Sequence, residues 1–180
     1  MDAQLDFYWR HRRQIEEWAA LRTEARRALV ELIREDADRL WTLAAEVDGV
    51  QVVDKPDVTL LGLTRPSWST NGYDVTIALG WNSGSLLSGT GQGLPWAGVR
   101  VGYDGERRKV LSQRVRDAVD PHRRTLGCLE KQVPWPAWVY LEPSDAEGRE
   151  DFARRCISEV LLGWETLSPV IDGLATDPLI

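Results

Sequence analysis

The sequence predicts an α+β fold: a long N-terminal helix, an antiparallel sheet of about five strands, and two further helices packed on that sheet. Three observations carry this. Residues 5–47 contain neither Gly nor Pro and are dominated by strong helix formers. Between residues 50 and 141, short β-branched and aromatic runs follow one another, most of them joined by short turns. From residue 144 onward, apolar residues recur at helical spacing. Helix, four strands, helix, strand, helix is an order that sets consecutive strands side by side in an antiparallel sheet covered by helices.

In the first segment Ile15, Trp18, Ala25, Leu29, Leu32, Leu40, Leu43 and Val47 form an apolar seam with spacings of three, four and seven, interrupted by Arg22 and Asp36. Ile15, Trp18, Leu29 and Leu32 are its candidate partner-helix positions. Arg12–Glu16, Arg13–Glu17, Arg27–Glu31 and Glu35–Arg39 stand four apart and add local support. A single helix of this length reaches about 60 Å at ~1.5 Å per residue, more than a small domain is wide. Either it breaks near residues 35–38, where Asp36 or Asp38 caps a second helix, or it projects against a partner. A break or bend is the favoured reading, and Asp48-Gly49 closes the element.

Strands are expected at 50–53 and 58–63. Tyr73, Val75, Ile77, Leu79 and Trp81 then alternate strictly, which predicts a half-buried strand. The Gly/Ser loop 82–93 leads into a further strand at 96–103, so a hairpin is expected across it. Residues 106–119 form an amphipathic helix with Val110, Leu111, Val115, Ala118 and Val119 inward. A last strand at 137–141 is entered through Pro134-Trp135-Pro136. Ser144 and Glu147 have capping-box spacing and are expected to open the final helix. On it Phe152, Cys156, Val160 and Trp164 stack four apart, and Pro169 is expected to end or kink it.

At 180 residues the chain fits one globular unit: a helical segment, 1–49, packing on or projecting from an α+β domain, 50–180. Nine tryptophans spread over both parts predict a core knitted from both ends, because each indole buries on the order of 200 Å² with a single N–H to satisfy. The net charge is −6, with the middle nearly neutral and the last third strongly acidic. No apolar run approaches the ~20 residues of a membrane span. The start has no basic region followed by an apolar stretch, so a cytoplasmic location is expected, with Cys128 and Cys156 as buried thiols rather than a disulfide.

Candidate chemistries are weighed on residue type and spacing. His11 and His122 are the two histidines, and neither stands in a zinc-binding spacing. No nucleophile elbow occurs. His122 with Cys128 is not singled out by spacing. The glycine loop lacks the phosphate-loop lysine, and a strand rather than a helix follows it. Pro56-Asp57 has half of a nuclease signature, but Lys55, Lys109 and Lys131 are never preceded two positions earlier by an acid. No catalytic residue, metal or cofactor is therefore assigned. Arg107, Arg108, Arg114, Arg116, Arg123 and Arg124 are candidate nucleic-acid contacts, since a basic run beside tryptophans suits a polyanion strand. Trp81, Trp96 and Trp138 are candidates for walling a small-ligand pocket between the sheet and the last helix, under the 82–93 loop.

Several stretches resemble the region that follows the catalytic core in bacterial proteins of the PD-(D/E)XK nuclease superfamily. They are Arg65-Pro66-Ser67-Trp68 leading into Gly72-Tyr73-Asp74-Val75-Thr76-Ile77, then Trp96-Ala97-Gly98-Val99, Trp135-Pro136-Ala137-Trp138-Val139-Tyr140, and a final helix ending near Pro169-Val170-Ile171-Asp172. The resemblance spans about residues 60–175 and is carried by aromatic, structural motifs. In that family the catalytic carboxylates and lysine lie before this region, where this chain has only a helix, so no catalytic residue transfers. What the resemblance implies is a free-standing version of an accessory domain.

Taken together, the leading expectation is a non-catalytic macromolecule-binding module acting on a protein partner, as an accessory or inhibitory component of a nuclease or phage-defence type system. Homo-oligomerisation through the N-terminal helix is one form of that. The alternatives are a nucleic-acid-binding module using residues 107–124 and a small-ligand binder with the Trp-walled pocket. No membrane partner is expected.

Overall fold

A computed structural model of the protein describes residues 2–70, 72–88, 93–102, 105–122 and 134–176. The opening segment folds as α1 (Asp2–Asp36) and α2 (Asp38–Glu46), so it breaks once, at Ala37. Neither neighbouring acid caps α2. Ala37 itself is the N-cap, with helical dihedrals and no side-chain bond, while Asp36 pairs with Arg39 at 3.4 Å. Ala37 and Leu40 are both buried, so the break lies where the helix meets the core.

The sheet has five antiparallel strands in sequence order: β1 (Gln51–Lys55), β2 (Leu60–Thr64), β3 (Val75–Gly80), β4 (Trp96–Val101) and β5 (Ala137–Tyr140). A 3₁₀ turn, Pro56–Val58, and a left-handed Thr59 connect β1 to β2. A short helix α3 (Pro66–Thr70), for which the sequence carried no signal, separates β2 from β3. The β3–β4 hairpin forms as expected, with Ile77 opposite Val99. Two helices complete the fold, α4 (Gly105–Val119) and α5 (Arg149–Leu174).

β3 departs from the half-buried strand its alternation suggested, being buried on both faces along its whole length. The alternating partners of Val75, Ile77 and Leu79 are Thr76, Ala78 and Gly80, small enough to be enclosed without stranded charge. One face, carrying Ile77, Ala97 and Val139, packs on α5; the void left between them is only about 20 Å³. Gly163 permits this approach, since a Cβ there would lie 3.1 Å from Ile77 Cγ2. Around α5 gather the last third of α1, α2 and α4, burying Leu29, Ile33, Leu40, Leu111, Phe152, Ile157, Trp164 and Ile171 in one core.

Four local expectations are corrected. Val110 is 53% exposed, because the buried face of α4 is set by Leu111, Ser112, Val115 and Val119, one position further round. Pro169 neither ends nor interrupts α5, which runs on to Leu174; it stands on the exposed side, where water can satisfy the carbonyl freed one turn earlier. Helix α5 starts at Arg149, with Gly148 as N-cap and no side-chain cap. The Ser144–Glu147 pair instead closes the preceding turn, the Ser144 N–H donating to Glu147 Oε2 at 3.2 Å. Finally, Trp9, Trp18 and Trp41 are exposed, so only part of the indole set serves as core.

Two ends of the domain are clasped together. Trp68 Nε1 donates to Asp172 Oδ1 at 2.7 Å, and the Trp68 ring lies 5.5 Å from that of Trp164. Arg65 spans the same site: Nη1 donates to Asp48 O at 3.1 Å, Nε lies 3.4 Å from Asp172 Oδ1, and the guanidinium sits over the Trp164 ring. This ties the α2–β1 turn, α3 and the end of α5 into one body.

Candidate functional site

The feature that the fold leaves unexplained is the N-terminal part of α1. At ~1.5 Å per residue its 35 residues extend about 52 Å. Only its last third is fastened: Leu29 and Ile33 are buried, and Leu32 packs half-buried against the core. Arg26 marks the point of departure, its Nε–H donating to the carbonyl of Leu86 in the β3–β4 loop. Before that point, residues 3–25 form an arm, on which Leu5, Phe7, Trp9, Trp18 and Leu21 stand 54, 60, 66, 59 and 59% exposed.

Helical geometry divides the expected seam in two. Leu29 and Leu32 are spent on the domain itself, while Ile15 is half-buried and Trp18 projects. Phe7, Trp18, Leu21 and Ala25 lie on the arc of the helix that continues toward Leu29 and Leu32. One stripe thus begins bare and ends in the core. Several of the arm's polar groups pair within it. Tyr8 Oη donates to Glu16 Oε1 at 2.7 Å, a bond that holds the Tyr8 hydroxyl above its ordinary pKa. Arg13 pairs with Glu17 at 2.9 Å, and the rings of Phe7 and His11 lie 4.4 Å apart, tilted by 39°. Two notches of about 250 Å³ each flank the arm's base, one lined by Ala25, Ala28, Leu87, Pro143 and Phe152, the other by Arg26, Arg27, Val30, Ser83 and Leu86.

The tryptophan pocket does not form between sheet and last helix among the described residues. Trp96 and Trp138 lie on the sheet face opposite α5, across from Gly80 and Gly98 respectively. There Trp96 packs edge-on to Trp135 at 5.9 Å and Trp138 edge-on to Tyr140 at 4.5 Å. Trp81 is buried in the core. The described half of the glycine loop is tied down by buried Leu86, by the Leu87 N–H donating to Gly93 O at 2.6 Å, and by Arg26.

The described arginines of α4 do not converge on one face. Arg107 and Arg114 lie on one flank of its buried stripe and Arg116 on the other. Arg108 Nε donates to Gly102 O at 3.2 Å, Arg114 covers Tyr73 at 6.0 Å, and Arg116 donates to Gln113 at 3.4 Å. Arg123 and Arg124, like Cys128, lie outside the described residues. Cys156 is a buried free thiol, which burial pushes up to about 12. Arg155 forks onto both oxygens of Glu147 at 2.8 Å, holding that carboxyl below its usual range. Among the described residues, no three His, Cys, Asp or Glu side chains cluster as a metal-holding group, and no helix is long and apolar enough to cross a membrane.

No family model, curated protein or solved structure matches this chain. The arm was legible only in part: its apolar periodicity is in the sequence, but the point at which the domain stops covering it is not.

Proposed function

We propose that this protein is a non-catalytic binding module whose α1 arm engages another protein. The observation that carries the reading is the stripe through Phe7, Trp18, Leu21 and Ala25, bare over residues 3–25 and continuous with the face that packs on the domain. A helix that presents large apolar side chains at such spacing matches helix-in-groove or helix–helix recognition. A monomeric globule has no use for a helix that extends beyond its core, because tertiary packing supplies most helical stability. An accessory or inhibitory role beside a nuclease is the specific form suggested by the resemblance over residues 60–175.

The test is site-specific photo-crosslinking in the native cell. A benzophenone amino acid at Leu21 should give covalent protein adducts, whereas the same group at Val110, equally exposed on α4, should give few. Equal or absent adducts at the two positions would overturn the reading.

A further inference from the structure

Resting on that reading, we propose that the arm's partner is a protein groove with an apolar floor, a carboxylate set into that floor to receive Arg22, and a second hydrogen-bond acceptor about 16 Å away to receive His11. Charge decides between the possible occupants.

At about 100° per residue, the arm's apolar arc runs from Leu21 at one edge through Phe7, Ala25 and Trp18 to Ile15 at the other. Arg22 and His11 lie inside it. Arg22 stands between Trp18 and Ala25, each about one turn away, and His11 between Phe7 and Ile15 in the same manner. No acid shares the arc. Glu17 is the nearest, about 40° beyond Leu21, and it is taken by Arg13 at 2.9 Å. Asp6 and Glu24 lie further round, and Glu16 is on the reverse side. Arg12 lies over the Trp9 ring at 5.7 Å and Arg26 donates to Leu86 O, whereas no hydrogen bond, ion pair or ring contact holds the Arg22 guanidinium among the described residues.

Water serves Arg22 while the arc is bare. A partner that covers both Trp18 and Ala25 removes that water, and a guanidinium enclosed without a counter-ion costs more than the apolar contact around it contributes. The occupant therefore supplies a carboxylate at that point. His11 makes a weaker demand of the same kind, because imidazole in either charge state carries at least one N–H for an acceptor to take. Gln4 and Gln14, the other polar residues of the arc, are neutral and can donate or accept. His11 and Arg22 are eleven residues apart on one line of the helix, so the groups that receive them stand about 16 Å apart and fix the register of the arm. A lipid surface fits the apolar residues but not the charge. Helices that lie in a bilayer interface keep their cations at the borders of the apolar face, from which they reach the headgroups, and here two interrupt its middle. The arc of a second arm contains no acid for Arg22.

Benzophenone at Leu21 of the full chain tests this in the native cell. With Arg22→Glu the yield of protein adduct should fall by roughly tenfold or more, and Arg22→Gln, which adds no acid, should also lower it. Arg22→Lys keeps the charge and should keep most of the yield, and Arg13→Glu, on the reverse face, should leave it unchanged. Circular dichroism of each purified variant should match the wild type, since Arg22 is exposed and unpaired. Peptide mapping of the adduct should place a partner carboxylate beside the attachment point, and replacing that acid by Lys should restore capture by the Arg22→Glu chain. Adducts indifferent to Arg22→Glu would overturn the proposal and leave the binding arm standing, whereas an absence of adducts with wild-type Arg22 would remove the arm itself. Adducts that map to this chain, or a tryptophan blue shift of the wild type on phosphatidylglycerol vesicles, would put a second copy or a lipid surface in place of the acidic groove and overturn it as well.

Discussion

Replacing Asp172 by Ala removes the acceptor that a fully buried indole depends on. Trp68 is 0% exposed, so in the folded state its N–H has Asp172 Oδ1, at 2.7 Å, in place of water. An orphaned buried donor costs about 1–3 kcal/mol. The Arg65 contact to the same oxygen is long, at 3.4 Å, and the Asp172 side chain is 43% exposed, so the lost charge pairing adds little. About 2 kcal/mol is therefore expected for Asp172→Ala, a fall in Tm of ~4–8 °C for a chain of this size. Asp172→Asn keeps an acceptor oxygen and loses only charge, so it should cost less than about 1 kcal/mol. Thermal and urea unfolding followed by circular dichroism would give both values. A double-mutant cycle with Trp68→Phe, which deletes the N–H, should show coupling of about 1–2 kcal/mol. If Asn proves as harmful as Ala, charge rather than the acceptor holds the clasp; if neither variant shifts Tm, the clasp contributes nothing and the reasoning fails.

Three further outcomes are expected. Gly80→Ala places a Cβ 2.7 Å from the Trp96 indole and should cost about 1–3 kcal/mol in urea unfolding, whereas Gly84→Ala, whose nearest neighbour is Asn82 Oδ1 at 3.4 Å, should stay within about 0.5 kcal/mol. Arg155→Lys loses the fork onto Glu147. Because that carboxyl is lowered by Arg155, its contribution is present above the ordinary value of 4.5 and is lost as pH falls through the depressed one, so the stability gap between wild type and variant should close in acid. A gap that persists unchanged to the acid limit would mean the pair does not act through charge. Cys156, pushed up to about 12 by burial, should resist iodoacetamide at pH 8 in the folded protein and react once urea unfolds it, as peptide mass mapping would show; rapid labelling in the native state would contradict its burial.

Strand order and the hairpin were legible because each depends on local chemistry, alternation over residues 73–81 and glycines between two strands; the helix break falls within 35–38 as expected, but at Ala37 and without an acidic cap. What misled was local pattern whose meaning is set elsewhere. Thr76, Ala78 and Gly80 read as an exposed face because alternation reports polarity, and only the assembled fold shows that small residues there are enclosed. Ser144 and Glu147 have the spacing of a cap, yet Arg155 competes for the same carboxylate and draws Glu147 into a turn before the helix. Arg65 and Trp68 meet Asp172 across more than a hundred positions, a contact that no window of sequence contains.

The same limit bears on the arm, and there it carries information. Leu29 and Leu32 belong to the arc that holds Phe7, Trp18 and Leu21, although His11, Gln14 and Arg22 interrupt its bare part. A surface evolved only to meet water would turn polar once the domain ends, yet the arm exposes large apolar side chains on the stripe and, at Leu5 and Trp9, off it. This stripe instead keeps its large side chains for some five turns beyond Arg26, where the last bond to the domain is made. Burying Phe7 and Trp18 stabilises only if something occupies the space beside them, and exposing them carries a standing risk of nonspecific association.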